Sequence, residues 1–182
     1  SELPFYPGGQ EVARFVRERR FGRVLDVRSL FLHSSDLDPT KPSNWKRRAE
    51  LNGEYGCMGD LGMHALHLPL RAGWEPRNVR AVLTNVFPER PDGQGGTVPC
   101  DTWDNAVLAC MAGAGRADEF PMLFEMKRIA PGHMNTWFVE VAGTRTSMRF
   151  SSQRPRTLET LVYERGKAQA WRVEDLGYAA PY

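Results

Sequence analysis

The sequence predicts an α+β fold: a large open, mainly antiparallel sheet with helices on one face. Two observations carry the prediction. Apolar residues recur at a helical period in the first part of the chain and at a period of two from Pro76 onward. The later apolar stretches are joined by Gly-, Pro- and Asp-rich connectors too short to hold crossover helices, which implies an antiparallel meander. Helices early and strands late mark an α+β arrangement.

In chain order, Val12, Phe15 and Val16 give a helix over residues 10–20, which Gly22 ends. Arg23–His33, rich in Val, Leu and Phe, reads as a strand. Ser34–Asn52 reads as a polar loop with Pro39, Pro42 and a single aromatic, Trp45. A second helix follows and runs to about Ala72, with Pro69 in its last turns and Gly73 placed to end it. Seven strands are then predicted: Val79–Phe87, Asp104–Met111, Met122–Ile129, Trp137–Ala142, Ser147–Ser151, Leu158–Glu164 and Ala168–Val173. Turn chemistry separates them, as in residues 91–96 and 164–167.

Several strands carry apolar side chains on both faces. Trp137, Val139 and Val141 alternate with Phe138 and Ala142. Helices cover one face, so the other must meet a different surface, and a second copy of the same sheet is the simplest candidate. A homodimer or homotetramer is therefore expected.

The chain of 182 residues is the size of one domain, spanning 1–182. It carries 41% hydrophobic and 25% charged residues, an ordinary globular balance. A net charge of +2 gives no argument for nucleic acid or a membrane surface, and Glu18 interrupts the arginines at 17, 19 and 20. No apolar run approaches the roughly 20 residues of a membrane span. Three cysteines without CxxC spacing, beside seven methionines, fit a reducing cytoplasm. Ser1 is not an initiator methionine and the chain stops at Tyr182 without a closing pattern, so a piece of a longer protein is expected.

The most informative stretch is Gly59-Asp60-Leu61-Gly62-Met63-His64-Ala65-Leu66-His67. On a helix, Asp60 and His64 lie one turn apart on one face, with His67 further along it. A carboxylate beside an imidazole can orient it and support its cation, as proton transfer requires. The same residues also read as a helix cap and a half-buried face. Two histidines three apart could share a metal, but a further ligand would have to come from His33 or His133, which no local spacing predicts. His133 and Asn135, in a glycine-containing loop, could bond sugar hydroxyls or satisfy their own turn. Trp45 and Lys46 pair an aromatic lid with a cation, although a lone loop tryptophan also reads as a packing anchor. Gly113-Ala114-Gly115 begins like a dinucleotide fingerprint, yet it joins two strands and reads as a hairpin loop.

Taken in order, these pieces resemble the C-terminal domain of the Gfo/Idh/MocA oxidoreductases, the family of glucose–fructose oxidoreductase and inositol dehydrogenase. Gly22-Arg23-Val24-Leu25, Trp45-Lys46, the approach from Gly56 to the Asp60–His64 helix start, and the hairpin Val139 to Arg145 carry the likeness over nearly the whole chain. The resemblance implies that Asp60 and His64 occupy the catalytic positions, with His64 as acid/base and Asp60 orienting it. It implies a hydride passing between a sugar or polyol and NAD or NADP. The cofactor and a catalytic lysine would come from a preceding Rossmann domain absent from this chain, so the chain alone is expected to bind no cofactor and to be inactive. Trp45, Lys46, His67, His133 and Asn135 are then the candidate substrate wall. Thr146 stands where a second hairpin glycine is frequent, and His67 where an acidic residue is common, which implies an unusual substrate. Two other readings stay open: a non-catalytic ligand-binding or assembly module with the same fold, and a metal-dependent hydrolase or isomerase.

Overall fold

The structure, a computed structural model, describes residues 5–177. Its centre is an eight-stranded sheet in the order β10-β9-β8-β7-β1-β6-β5-β2. The strands are β1 (Val24–Leu32), β2 (Arg77–Thr84), β5 (Asn105–Ala112), β6 (Phe120–Lys127), β7 (Thr136–Gly143), β8 (Thr146–Ser151), β9 (Thr157–Val162) and β10 (Arg172–Asp175). A separate two-stranded hairpin pairs β3 (Glu89–Pro91) with β4 (Thr97–Pro99).

The expected α+β class and open sheet hold, with one correction to the topology. The strands do not form a single meander: β1 lies between β6 and β7, parallel to β6 and antiparallel to β7. The connection from β6 to β7 must therefore cross the C-terminal end of β1. The rest is antiparallel as expected, and the Gly113–Asp118 segment is the hairpin between β5 and β6. The last strand falls at Arg172–Asp175, later than the sequence suggests, because its pairing with β9 and not its own apolar content defines it. The connector at residues 91–96 closes the β3–β4 hairpin, where the Asp92 carboxylate accepts from the amides of Gln94 and Gly96.

Helix α1 (Pro7–Arg17) begins earlier than residue 10, because Pro7 at its first turn supplies a preset φ and has no N–H to waste. Val12 and Phe15 are its buried apolar side chains. Helix α3 (Cys57–Arg71) packs on β6, β1 and β5. Gly56, at φ 52°, lets the chain enter it: a Cβ there would meet the Trp103 backbone at 2.6 Å. Pro69 inside α3 cannot donate to the carbonyl of Ala65 four residues back. The buried Ser29 hydroxyl on β1 donates to that carbonyl instead, at 2.6 Å. The expected polar loop at 34–52 contains a single turn of 3-10 helix at Trp45–Arg47 and the short helix α2 (Ala49–Asn52).

The core fills the space between the helices and one sheet face. Val27 and Phe31 of β1 meet Val141 and Trp137 of β7, beside Met122, Phe124 and Met126 of β6. Each such side chain contributes roughly 1.5–3 kcal/mol when fully buried. At the β7–β8 turn, Thr144 exchanges two bonds with Arg23: its Oγ1 accepts from the Arg23 amide and its amide donates to the Arg23 carbonyl. The opposite sheet face carries Arg28, Leu30, Val82, Val107, Leu123, Phe138 and Glu140, a mixture of apolar and charged groups with Val82 67% exposed. No helix among the described residues is long and apolar enough to cross a membrane.

Candidate functional site

The inward-facing series of three strands each end in a polar residue at the same end of the sheet. Phe31 is followed by His33, Met126 by Arg128, and Ala106 is preceded by Asp104. The N-terminus of α3 arrives at this end and adds Asp60 in its first turn, where the helix dipole favours a carboxylate.

The Asp60 carboxylate is held by two cations. Lys46 Nζ stands 3.2 Å from its Oδ2, and the guanidinium of Arg128 bonds the same oxygen. Burial alone would raise the pKa of Asp60, but Arg128 and Lys46 together outweigh it and hold the carboxyl below its ordinary range. Arg128 is itself buried and also faces Asp36 at 3.9 Å. Asp36 pairs with Arg47 at 2.5 Å and with Lys41 at 3.4 Å, and Arg47 reaches on to Asp104. The other oxygen of Asp104 accepts from the amides of Val86 and Phe87. Asp36, Arg47, Asp104 and Arg128 are all buried, so this is a sealed ionic chain in which each charge has an opposite neighbour.

His64, one turn beyond Asp60, lies flat on Phe31 of β1, with ring centroids 4.5 Å apart and an interplanar angle of 18°. The backbone of Lys46 is fixed on three sides: its amide donates to Asn44 Oδ1, and its carbonyl accepts from Asn52 and Thr102. Its ammonium lies 5.4 Å from the centroid of the exposed Trp45 ring. Trp45, Lys46 and Asp60 thus converge, with His64 one helical turn beyond Asp60.

His67 sits lower on α3, where burial, then Arg71 and His64, push its pKa down. Its Nε2 is enclosed. His133 and Asn135 occupy the loop that crosses the end of β1, which the Ala130 amide ties to the His33 carbonyl. The His133 amide donates to the Ala130 carbonyl, and the carbonyl of Asn135, at φ 50°, accepts from the Ser152 hydroxyl. These two residues join the same end of the sheet but not the Lys46–Asp60 contact.

Sequence reasoning missed Arg128, Asp36, Arg47 and Asp104, and assigned His33 no role beyond possible metal ligation. His33 Nδ1 accepts from the Ser35 amide at 2.8 Å, which leaves its proton on Nε2. Burial, opposed by Asp36 and reinforced by Arg128, Lys46 and Lys41, lowers its pKa and keeps the ring neutral. The signal for Arg128 was available: period-two alternation places it on the covered face directly after Met126, where a lone cation demands a partner.

Among the described residues, no group of three His, Cys, Asp or Glu side chains gathers in an arrangement able to hold a metal ion. None forms a strand, glycine-rich turn and helix able to cradle a dinucleotide, since Gly113 and Gly115 belong to an antiparallel hairpin. A groove of about 480 Å³ bordered by Phe21, Val24, Trp74 and Phe120 lies at the other end of the sheet.

The fold defines the class: an open-sheet α+β domain whose polar cluster forms where a helix N-terminus meets the ends of two parallel strands. More narrowly, the chain belongs to the GFO/IDH/MocA C-terminal domain family, whose model matches residues 10–154. It is 26% identical over 183 residues to levoglucosan dehydrogenase of Pseudarthrobacter phenanthrenivorans, covering 93% of this chain and 46% of that protein. The chain therefore spans about half the length of the curated relative it matches. The solved apo form of levoglucosan dehydrogenase is similar with a TM-score of 0.87 at 25% identity, over 99% of this chain and 48% of that one. Its complex with NADH and levoglucosan gives 0.84 at 25% identity, over 97% and 46%.

Proposed function

We propose that this domain is the substrate-side half of an NAD(P)-dependent oxidoreductase acting on a hydroxyl of a sugar, a polyol or a related compound. The observation that carries the reading is an ionised Asp60 one helical turn from His64, at the mouth of a domain of this family. NAD or NADP, held by a separate nucleotide-binding domain, supplies the hydride acceptor when bound.

In this reading His64 takes the proton of the reacting hydroxyl, and the negative charge of Asp60 favours the imidazolium that results. Phe31 keeps the ring in its plane. Lys46 donates to a neighbouring substrate oxygen while Trp45 offers an apolar face to the C–H side of the ring. His67, His133 and Asn135 complete the wall. The open sheet face joins copies into a homodimer or homotetramer, and the protein works in the cytoplasm.

The test is reduction of NAD+ and NADP+ by the full-length protein over a panel of sugars and polyols, with levoglucosan first because the relative is named for it. His64→Ala should lower kcat by about 10²–10⁴ with a much smaller change in KM. An unchanged kcat moves the acid/base role elsewhere. The 182-residue chain by itself should show no turnover, and a normal rate from it would end the two-domain reading.

A further inference from the structure

We infer that Arg128 is a positioning residue: it is the permanent counter-ion of Asp60, leaving Lys46 free to exchange that carboxylate for an oxygen of the substrate. The inference rests on the proposed function for the word substrate, but its ionic half stands on geometry alone.

The two cations on Asp60 are built differently. Arg128 is 4% exposed and anchored through its backbone as well as its side chain: its amide donates to the Asp104 carbonyl and its carbonyl accepts from the Asp36 amide. Its guanidinium lies between Asp60 and Asp36, and Asp36 is itself paired with Arg47. To leave Asp60, the buried Arg128 guanidinium would have to give up its nearest carboxylate with no water to replace it. Lys46 has a fixed backbone but a side chain one-third exposed, on a flexible four-carbon stem above the Trp45 ring. Its ammonium can swing into water or onto a ligand at little cost.

The groups that face Asp60 and its cations are Lys46 from the 3-10 turn, Cys57 from the start of α3, Arg128 and Asp36 from the ends and loops of the strands, His33 from the end of β1, and Arg47 and Lys41 beside Asp36. His64 follows one turn on. A substrate hydroxyl that captures Lys46 would leave Asp60 with one fixed cation, still ionised and still aimed by Arg128. Arg128→Lys would keep the charge but lose the planar fork that spans both carboxylates.

The experiment is an NMR titration of the 182-residue chain carrying ¹³Cγ-labelled aspartate, with the Asp60 resonance assigned by its loss in Asp60→Asn. Lys46→Met should leave the Asp60 pKa below the ordinary aspartate range, whereas Arg128→Gln should raise it clearly further than Lys46→Met does. If Lys46→Met by itself returns Asp60 to the ordinary range, Lys46 is the counter-ion and the assignment is overturned. That variant changes an accessible side chain, so the result does not depend on whether Arg128→Gln folds. In the full-length enzyme, Lys46→Met should act mainly on KM and Arg128→Lys mainly on kcat, and the reverse split would also overturn it. Should the full-length protein turn over no hydroxyl substrate while the order of the pKa shifts holds, the role of Arg128 stands and only the functional reading falls.

Discussion

Trp137 and Arg47 are equally hidden from water, at 0% and 1% exposure, yet they are held there by unlike forces. Trp137 faces the core from near the start of β7, among Phe31, Val139 and Phe150, with the Phe150 ring edge-on at 5.5 Å. These neighbours are apolar, so the stability they supply grows with the apolar area removed from water. Arg47 sits past the end of the sheet between Asp36 and Asp104. Burial pulls its pKa down and Asp36 opposes this, so the cost of burying the charge is offset by its neighbours. The apolar region tolerates small changes of shape; the ionic region tolerates no loss of a partner. The role proposed for Asp60, ionised and fixed, is better served by the second kind of neighbourhood.

The comparison can be broken first at its two centres. Trp137→Ala should cost about 3–5 kcal/mol in denaturant unfolding, the cost of a large core cavity. Arg47→Met should cost a similar ~3–5 kcal/mol, because it leaves Asp104 without its cation and takes from Asp36 its shortest ion pair. Equal costs from unlike causes should separate with pH: lowering the pH should shrink the penalty of Arg47→Met, as the stranded carboxylates protonate, and leave that of Trp137→Ala unchanged. A pH-independent Arg47 penalty would show that packing and not charge holds this end.

Ser29→Ala sharpens the boundary between the two regions, since it removes a buried polar bond inside the apolar one. It should cost about 1–3 kcal/mol by leaving the Ala65 carbonyl unpartnered. Acid should act in one direction on the ionic end. Asp60, His33 and His67 all bind protons more weakly folded than unfolded. Stability from the two imidazoles is thus complete above their unfolded pKa of 6.5, that from Asp60 above 3.8, and each is lost as the pH falls toward the folded value. Stability that rises on acidification from pH 7 to 5 would contradict this. The smallest effect on the monomer is expected on the open face: Phe138→Glu should change unfolding by no more than about 0.5 kcal/mol, while light scattering should report loss of the proposed oligomer. An unaltered oligomer would place the interface elsewhere.

Much of this was legible in the sequence. The period-two stretches located β2, β5, β6, β7, β8 and β9, and the Asp60–His64 spacing located the start of α3, because side-chain periodicity is a local property. The place of β1 was not legible. Its composition fits any central strand, and only the packing of α3 against both β1 and β6 selects the parallel pairing that inserts it there. The 3-10 turn was hidden inside a polar loop for a similar reason: Trp45–Arg47 is held by Asn44, Asn52 and Thr102 and by the ion pairs of Arg47, contacts that span up to 57 positions. Trp45, Lys46, Asp60 and His64 were marked as candidates from residue type, but the convergence of the first three depended on that turn. Arg128 escaped because it was read as the tail of a strand and not as the next inward position after Met126.

The Ser29 hydroxyl and the gap left by Pro69 have a consequence for assembly tolerance. An α-helix displaced by one residue climbs 1.5 Å and turns about 100°, and an oily interface would accept several such settings with little complaint. Here the carbonyl that lacks its own donor belongs to Ala65, immediately after His64, and the donor waiting for it is bolted to β1 two residues from Phe31. Helix and strand are keyed like a shaft in a slot. The imidazole is laid on its aromatic bed by the same fit that seats the helix, so a missetting of α3 would be felt as a lost hydrogen bond before it could become a misaimed histidine.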